Sequence, residues 1–211
     1  YRVIWGFLRK CPASKVRFCI FDPKEGGGSV RMLSNFVNKM PDSYKRAVTQ
    51  MSRTEELLSC LKELEGQTLD FIRDRPDYDD LLDYNAHNPR RTEAITLLML
   101  YDFPLNADAR CLELLSSVMQ KGNRCGIYVV LCRNTAVEVA SSYDHIDEKL
   151  AELEKNCVQI ECKENGFALL PYYLSVRLIE KPDAGQLEKF AVEYHKAVEK
   201  LSVQSIHFEE I

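Results

Sequence analysis

Apolar positions in this chain come in two kinds of run: short blocks rich in β-branched and aromatic residues, and longer stretches in which leucine recurs every three or four positions. Val16-Arg17-Phe18-Cys19-Ile20-Phe21 is of the first kind, ending in the charged tip Asp22-Pro23-Lys24, and it predicts a buried strand. Residues 94–101 and the almost wholly apolar 127–131 predict two more, the latter with the pattern of a strand covered on both faces. A short strand is expected over 46–49 and another over 158–162. Between these lie the helical stretches. The longest is 53–75, where Leu57, Leu58, Leu61, Leu64, Leu69 and Ile72 fall on one face with charges elsewhere, as in an outer helix covering a sheet. Shorter helices are expected over 30–39, 79–86, 109–121 (closed by Gly122 as C-cap), 146–155 and 185–201. Ile4, Phe7 and Leu8 read as the end of a helix stopped near Pro12, since proline cannot continue the ladder. Asn165-Gly166 is a hairpin-type turn joining 158–162 to 167–170.

Strands alternating with helices imply right-handed crossovers and an α/β fold with a mostly parallel sheet flanked by helices. Any ligand is then expected beyond the carboxyl ends of the strands. The hairpin adds an antiparallel edge near the C-terminus. With 211 residues and 45% hydrophobic content, the chain suits one domain over 1–211, with a core over 1–135 and edge strands and a helix over 136–211. It begins on Tyr1 rather than methionine, and 203–208 looks like a further strand, so a piece of a larger multidomain protein is expected.

The net charge of -4 gives no overall attraction to nucleic acid or an anionic membrane. Eight cysteines sit within apolar or helical patterns of a chain too long to need disulfides, which predicts a reducing, cytoplasmic setting. Cys157 and Cys162 have ligand spacing without a second pair or a nearby histidine, short of a zinc site. No apolar run approaches the ~20 residues of a membrane span.

The candidate chemistry lies at strand ends. The run Leu98-Met99-Leu100-Tyr101-Asp102-Phe103-Pro104 ends in one carboxylate, the arrangement that holds a magnesium-bound water beside a nucleotide in P-loop enzymes, but the position after the acid is phenylalanine rather than glutamate. No stretch of these residues reads G-x-x-x-x-G-K-[ST], so the phosphate-cradling loop and its lysine do not occur in them.

Three segments in order, Val16 to Phe21 followed by Asp22-Pro23-Lys24, then Leu98 to Pro104, then Gly122-Asn123-Arg124-Cys125-Gly126-Ile127-Tyr128, resemble the FtsK/SpoIIIE family of DNA-translocating ATPases over roughly residues 1–135. More narrowly, Asp102-Phe103-Pro104 with Arg124-Cys125-Gly126 is similar to the degenerate module of large FtsK-like proteins, and the tail from Ala197 through Ile211 resembles its connector to an intact module. The resemblance implies a P-loop NTPase-like fold of the FtsK/HerA type. It implies Asp22, Lys24 and Asp102 at a nucleotide site, Asp102 as a magnesium ligand, and Arg124 as a contact to phosphate or carboxylate on a neighbouring module. ATP and magnesium are then cofactors of the parent protein, with none assigned to the fragment. Partners are other ATPase modules of the same protein or ring, and DNA through the parent assembly.

Each residue also has a plainer reading. Asp102 would cap a helix starting near Asn106 or begin a turn with Pro104; Asp22 and Lys24 would be a strand-end ion pair; Arg124 would hold an internal salt bridge. Gly26-Gly27-Gly28 would be a loop rather than an anion nest, and Arg73, Arg75, Arg90 and Arg91, diluted by aspartates, would be solvated surface. The four histidines show no catalytic context. Two functions follow: a non-hydrolysing structural or regulatory module, or part of an active translocase ATPase whose phosphate loop lies upstream.

Overall fold

A computed structural model of the chain describes residues 15–24, 48–137, 146–163 and 166–177, with 4, 6, 7, 11 and scattered positions between 183 and 196. The helix expected over 30–39, the triple glycine, most of the last helix, the tail beyond 196, and His145, His195 and His207 lie outside the described residues.

The central sheet has strands β1 (Val16–Phe21), β2 (Val48–Met51), β3 (Ile95–Phe103) and β4 (Ile127–Arg133), in the order β2-β1-β3-β4 and parallel throughout. Helices α1 (Thr54–Asp74) and α2 (Leu81–His87) lie between β2 and β3, α3 (Ala109–Lys121) lies between β3 and β4, and α4 (Ile146–Lys155) follows β4. Period-two alternation divides β1 between two cores. Cys19 and Phe21 face Leu57, Leu61 and Leu64 of α1, Leu112 and Leu115 of α3, and Leu150 and Leu153 of α4. Val16, Phe18 and Ile20 face the other way, with Ile4, Val48, Leu97 and Met99, and with Phe7 and Phe190 packed against them. The central strands β1 and β3 are therefore covered on both faces, as their doubly apolar pattern requires.

Three local expectations are corrected. The strand expected over 46–49 is Val48–Met51, and the strand expected to stop at 101 runs on through Phe103. Gly122 does cap α3, at φ -65° with its N–H donating to Val118 O; a 3-10 turn over Gly122–Cys125 follows, and it is Gly126 that takes the left-handed conformation at φ 70°. An alanine Cβ at Gly126 would lie 2.2 Å from Leu81 Cδ2, so both backbone angle and close approach require glycine there. Finally, β4 is not buried on both faces. Among the described residues it pairs only with β3, and Tyr128 is 39% exposed.

The C-terminal strands do pair antiparallel, β5 (Ile160–Lys163) with β6 (Gly166–Leu169), but they do not extend the central sheet. A third strand, β7 (Leu174–Val176), not expected from the sequence, joins β6 to make a separate sheet.

Candidate functional site at the carboxyl edge of the sheet

The carboxyl ends of β1, β3 and β4 converge on Asp102. Parallel register sets this up: Phe21 is level with Leu100 and Leu100 with Leu131, so residues just past each strand share one rim. β1 gives out at Pro23, which has no N–H for a ladder. Asp22 is almost completely buried; its backbone N–H donates to Met51 O at 2.9 Å and its Oδ1 accepts the Lys24 N–H at 3.3 Å. This contact turns the chain so that Lys24 reaches across to β3.

At the end of β3 the register with β4 is interrupted between Leu100 and Phe103, and Asp102 adopts φ 48°. Aspartate is among the few non-glycine residues that tolerate this left-handed region. The Phe103–Pro104 peptide is cis. The turn beyond closes with the Asp102 carbonyl accepting the Leu105 N–H at 2.9 Å.

Both Asp102 carboxylate oxygens are engaged. Lys24 Nζ lies 2.7 Å from Oδ2, and Asn134, immediately past β4, donates from Nδ2 to Oδ1 at 2.9 Å. Asn134 is itself fixed, its N–H donating to Phe103 O at 2.9 Å and its Oδ1 accepting the Ala136 N–H at 3.0 Å. The Lys24 hydrogen bond, with help from Asn134, holds the Asp102 carboxyl below its usual pKa. Asp102 is therefore a fixed anion with a tethered cation against it. Phe103, where a water-activating glutamate would be needed, points into the core and is 2% exposed.

Of the residues expected at the site, Asp22, Lys24 and Asp102 are brought together, and the ion pair joins Lys24 to Asp102. Asp102 does begin the turn with Pro104, but the helix cap belongs to Asp108, whose Oδ1 accepts the Cys111 N–H at 2.8 Å. Asn134 was not anticipated. Its only signal was position, three residues past the strand expected over 127–131.

Arg124 lies elsewhere, in the Gly122–Gly126 turn at the opposite, amino end of β4. Its Nε donates to Asp79 O at 2.8 Å and its Nη2 to Tyr78 O at 3.2 Å, while the residue remains exposed. Its internal partners are thus two carbonyls, not the carboxylate of a salt bridge, and they tie the turn to the segment entering α2. Of the arginine cluster, Arg75 makes a two-pronged ion pair with Glu93 and stacks 4.3 Å from the Tyr84 ring centroid, and Arg73 pairs with Asp70 and Asp74. Among the described residues no three His, Cys, Asp or Glu side chains gather as metal ligands, and no helix is long and apolar enough to cross a membrane.

No protein-family model and no curated protein matches the sequence. Solved structures do. The cytoplasmic domain of EssC superposes with a TM-score of 0.54 at 15% identity, covering 94% of this chain and 41% of that one. EssC (ATPases 2 and 3) from Geobacillus thermodenitrificans gives 0.53 at 12% identity, covering 94% and 40%. Thermomonospora curvata EccC (ATPases 2 and 3), in complex with a signal sequence peptide, gives 0.52 at 15% identity, covering 94% and 39%. The chain spans about two fifths of the length of each of these proteins. The parallel sheet with flanking helices and these superpositions show that the chain has the fold found in these EssC and EccC structures.

Proposed function

We propose that this chain is a degenerate FtsK/SpoIIIE-like module that serves a larger ATP-driven translocase as a structural and regulatory part and does not itself hydrolyse ATP. The observation carrying this reading is the clamp on Asp102. A magnesium-binding acid must offer oxygen to a hard cation, whereas here Lys24 Nζ at 2.7 Å supplies the positive charge and Asn134 takes the other oxygen. With Phe103 buried, no base follows the acid. At this rim the Asp102 charge is balanced from within the chain.

The structurally similar EssC and EccC chains carry numbered ATPases, which supports other ATPase modules of the same protein as partners, and the EssC match is to that protein's cytoplasmic domain, which supports a cytoplasmic setting. Arg124 uses two of its five donors within the chain, leaving others for a facing module. DNA is the polymer suggested by the motif resemblance. The signal sequence peptide held by EccC favours a polypeptide instead, in keeping with a net charge of -4 here.

The test is nucleotide binding and turnover with ATP and magnesium. Wild-type chain should show neither magnesium-dependent binding nor turnover above background, and Lys24→Met should expose Asp102 and give measurable manganese or magnesium binding. Turnover by the wild type that Asp102→Ala abolishes would support the active-ATPase reading and overturn this one.

A further inference from the structure

Away from the Asp102 clamp, the small sheet carries an apolar face that neither core absorbs. Antiparallel register puts opposed residues on the same side, so Ile160, Leu169 and Leu174 form one row across the three strands, and Cys162, Phe167 and Val176 form the next. The opposite side shows Glu161, Ala168 and Ser175. One side is thus wholly apolar, the pattern of a sheet that packs on something. Yet among the described residues none of those six belongs to either core cluster. Ile160 is 51% and Leu174 58% exposed, Cys162 is exposed, and the turn between β6 and β7 adds the exposed Tyr172 and Tyr173. Five of the nine most exposed large apolar side chains among the described residues lie between Val158 and Leu174, so this is a patch rather than a scatter of single residues.

Chemistry, size and connection say what covers it. A three-stranded sheet gains stability by packing its apolar face, and no charged side chain stands in either row, so the occupant offers apolar surface and not a charged group. Three strands about 4.8 Å apart, with four residues rising about 3.4 Å each, give an area of roughly 200 Å². That is about a quarter of the roughly 800 Å² that each partner buries in a stable free complex. A second copy of the chain, or any partner arriving from solution, gains too little from it. A partner on the same polypeptide needs far less, because a short tether holds it at about millimolar effective concentration. Phe190 packs against the second core, and 21 residues, 191–211, follow it. As a coil, a connection of that length spans roughly 25 Å, so a module joined there is held beside this one.

We propose that the apolar face of β5, β6 and β7 is the surface on which the ATPase module that follows in the same polypeptide docks. This rests on the reading of the chain as one module of a larger translocase and names the contact that reading requires. The two rows receive apolar side chains of the partner. Tyr172 and Tyr173, beside the Leu174 end of the rows, lay their rings on the same surface while their hydroxyls stay in water. A contact this small opens and closes readily, which suits a module with a regulatory part.

Cys162, on the face itself and exposed, supplies the probe. The experiment alkylates it with iodoacetamide under native conditions, in the 211-residue chain and in the full-length protein, and follows the modified peptide by mass spectrometry. Cys162 should react freely in the shorter chain and about tenfold more slowly in the full-length protein, as when docking holds nine molecules in ten. Leu174→Glu should restore the fast rate in the full-length protein, yet move the Tm of the shorter chain by less than about 2 °C because Leu174 is exposed there. Ile160→Glu takes its place if that variant fails to fold. Equal Cys162 rates in the two proteins would overturn the proposal, as would slow labelling of the full-length protein that neither substitution relieves. Slow labelling already in the shorter chain would overturn it too: relief on dilution would assign the face to a second copy, and no relief to the chain's own residues. The outcome is separable from that of the Asp102 clamp. ATP turnover by the wild-type chain would refute the non-hydrolysing reading with Cys162 protection unchanged, whereas lack of protection would leave that reading standing.

Discussion

Replacing Gly126 with alanine tests whether the glycine-bounded turn that resembles a family motif has an architectural role here. Two costs are expected. The residue sits at φ 70°, and a side chain in the left-handed region costs about 1–2 kcal/mol. The new Cβ would lie 2.2 Å from Leu81 Cδ2 and 3.3 Å from both Leu81 Cβ and Cγ, whereas carbon contacts settle at roughly 3.5–4.0 Å. A rotamer change could remove the worst overlap, but Leu81 is only 2% exposed, and forcing extra volume into a packed core costs about 1–3 kcal/mol. The sum is about 2–5 kcal/mol, or a fall of roughly 5–15 °C in Tm for a chain of this size. Urea and thermal unfolding measure it, and a double-mutant cycle separates the parts. In a Leu81→Ala background the overlap is relieved, so Gly126→Ala should cost only the backbone portion, about 1–2 kcal/mol. An equal cost in both backgrounds would show that the contact with Leu81 does not limit this position, and a cost below about 0.5 kcal/mol would refute both contributions.

Arg124→Ala should lower stability by about 1–2 kcal/mol in urea unfolding, since its guanidinium donates to the carbonyls of Tyr78 and Asp79; Arg124→Lys should recover only part because it lacks the planar fork. An unchanged midpoint, with activity lost only in the full-length protein, would instead assign Arg124 wholly to a neighbouring module. The Lys24–Asp102 pair should make a small, pH-dependent contribution. Asp102 has its pKa lowered in the fold, so its stabilisation is complete above the unfolded carboxylate pKa of about 4 and is lost as pH falls through the lower folded value. Lys24 is about half exposed, so its pairing is worth about 1 kcal/mol or less. Lys24→Met should reduce stability slightly at pH 7 and converge on wild type near pH 2; a gap of the same size at both pH values would mean that Lys24 acts through packing rather than charge.

The local pattern determined most of the architecture. β1, α1 and α3 lie within a residue or so of where apolar periodicity placed them, because each buries a continuous face and a shift of register would expose it. The carboxylate at the end of β3 was legible for the same reason. Burial of β4 was not: Ile127 through Leu131 is equally apolar whether a strand is central or at an edge, and only its neighbours in the sheet decide which. Gly122 was legible as the cap of α3, but composition does not say that Gly126 is the glycine whose backbone turns left-handed and approaches Leu81. The clamp on Asp102 lay furthest from view. Lys24, Asp102 and Asn134 are widely separated in sequence, and their meeting depends on the parallel order β1-β3-β4, the register interruption before Phe103 and the left-handed Asp102 backbone. Sequence determined which segments would become strands and helices, because that choice is made by each segment's own periodicity. Tertiary structure decided which charges would neutralise each other, because a 2.7 Å contact exists only after the sheet has set the order and register of its strands.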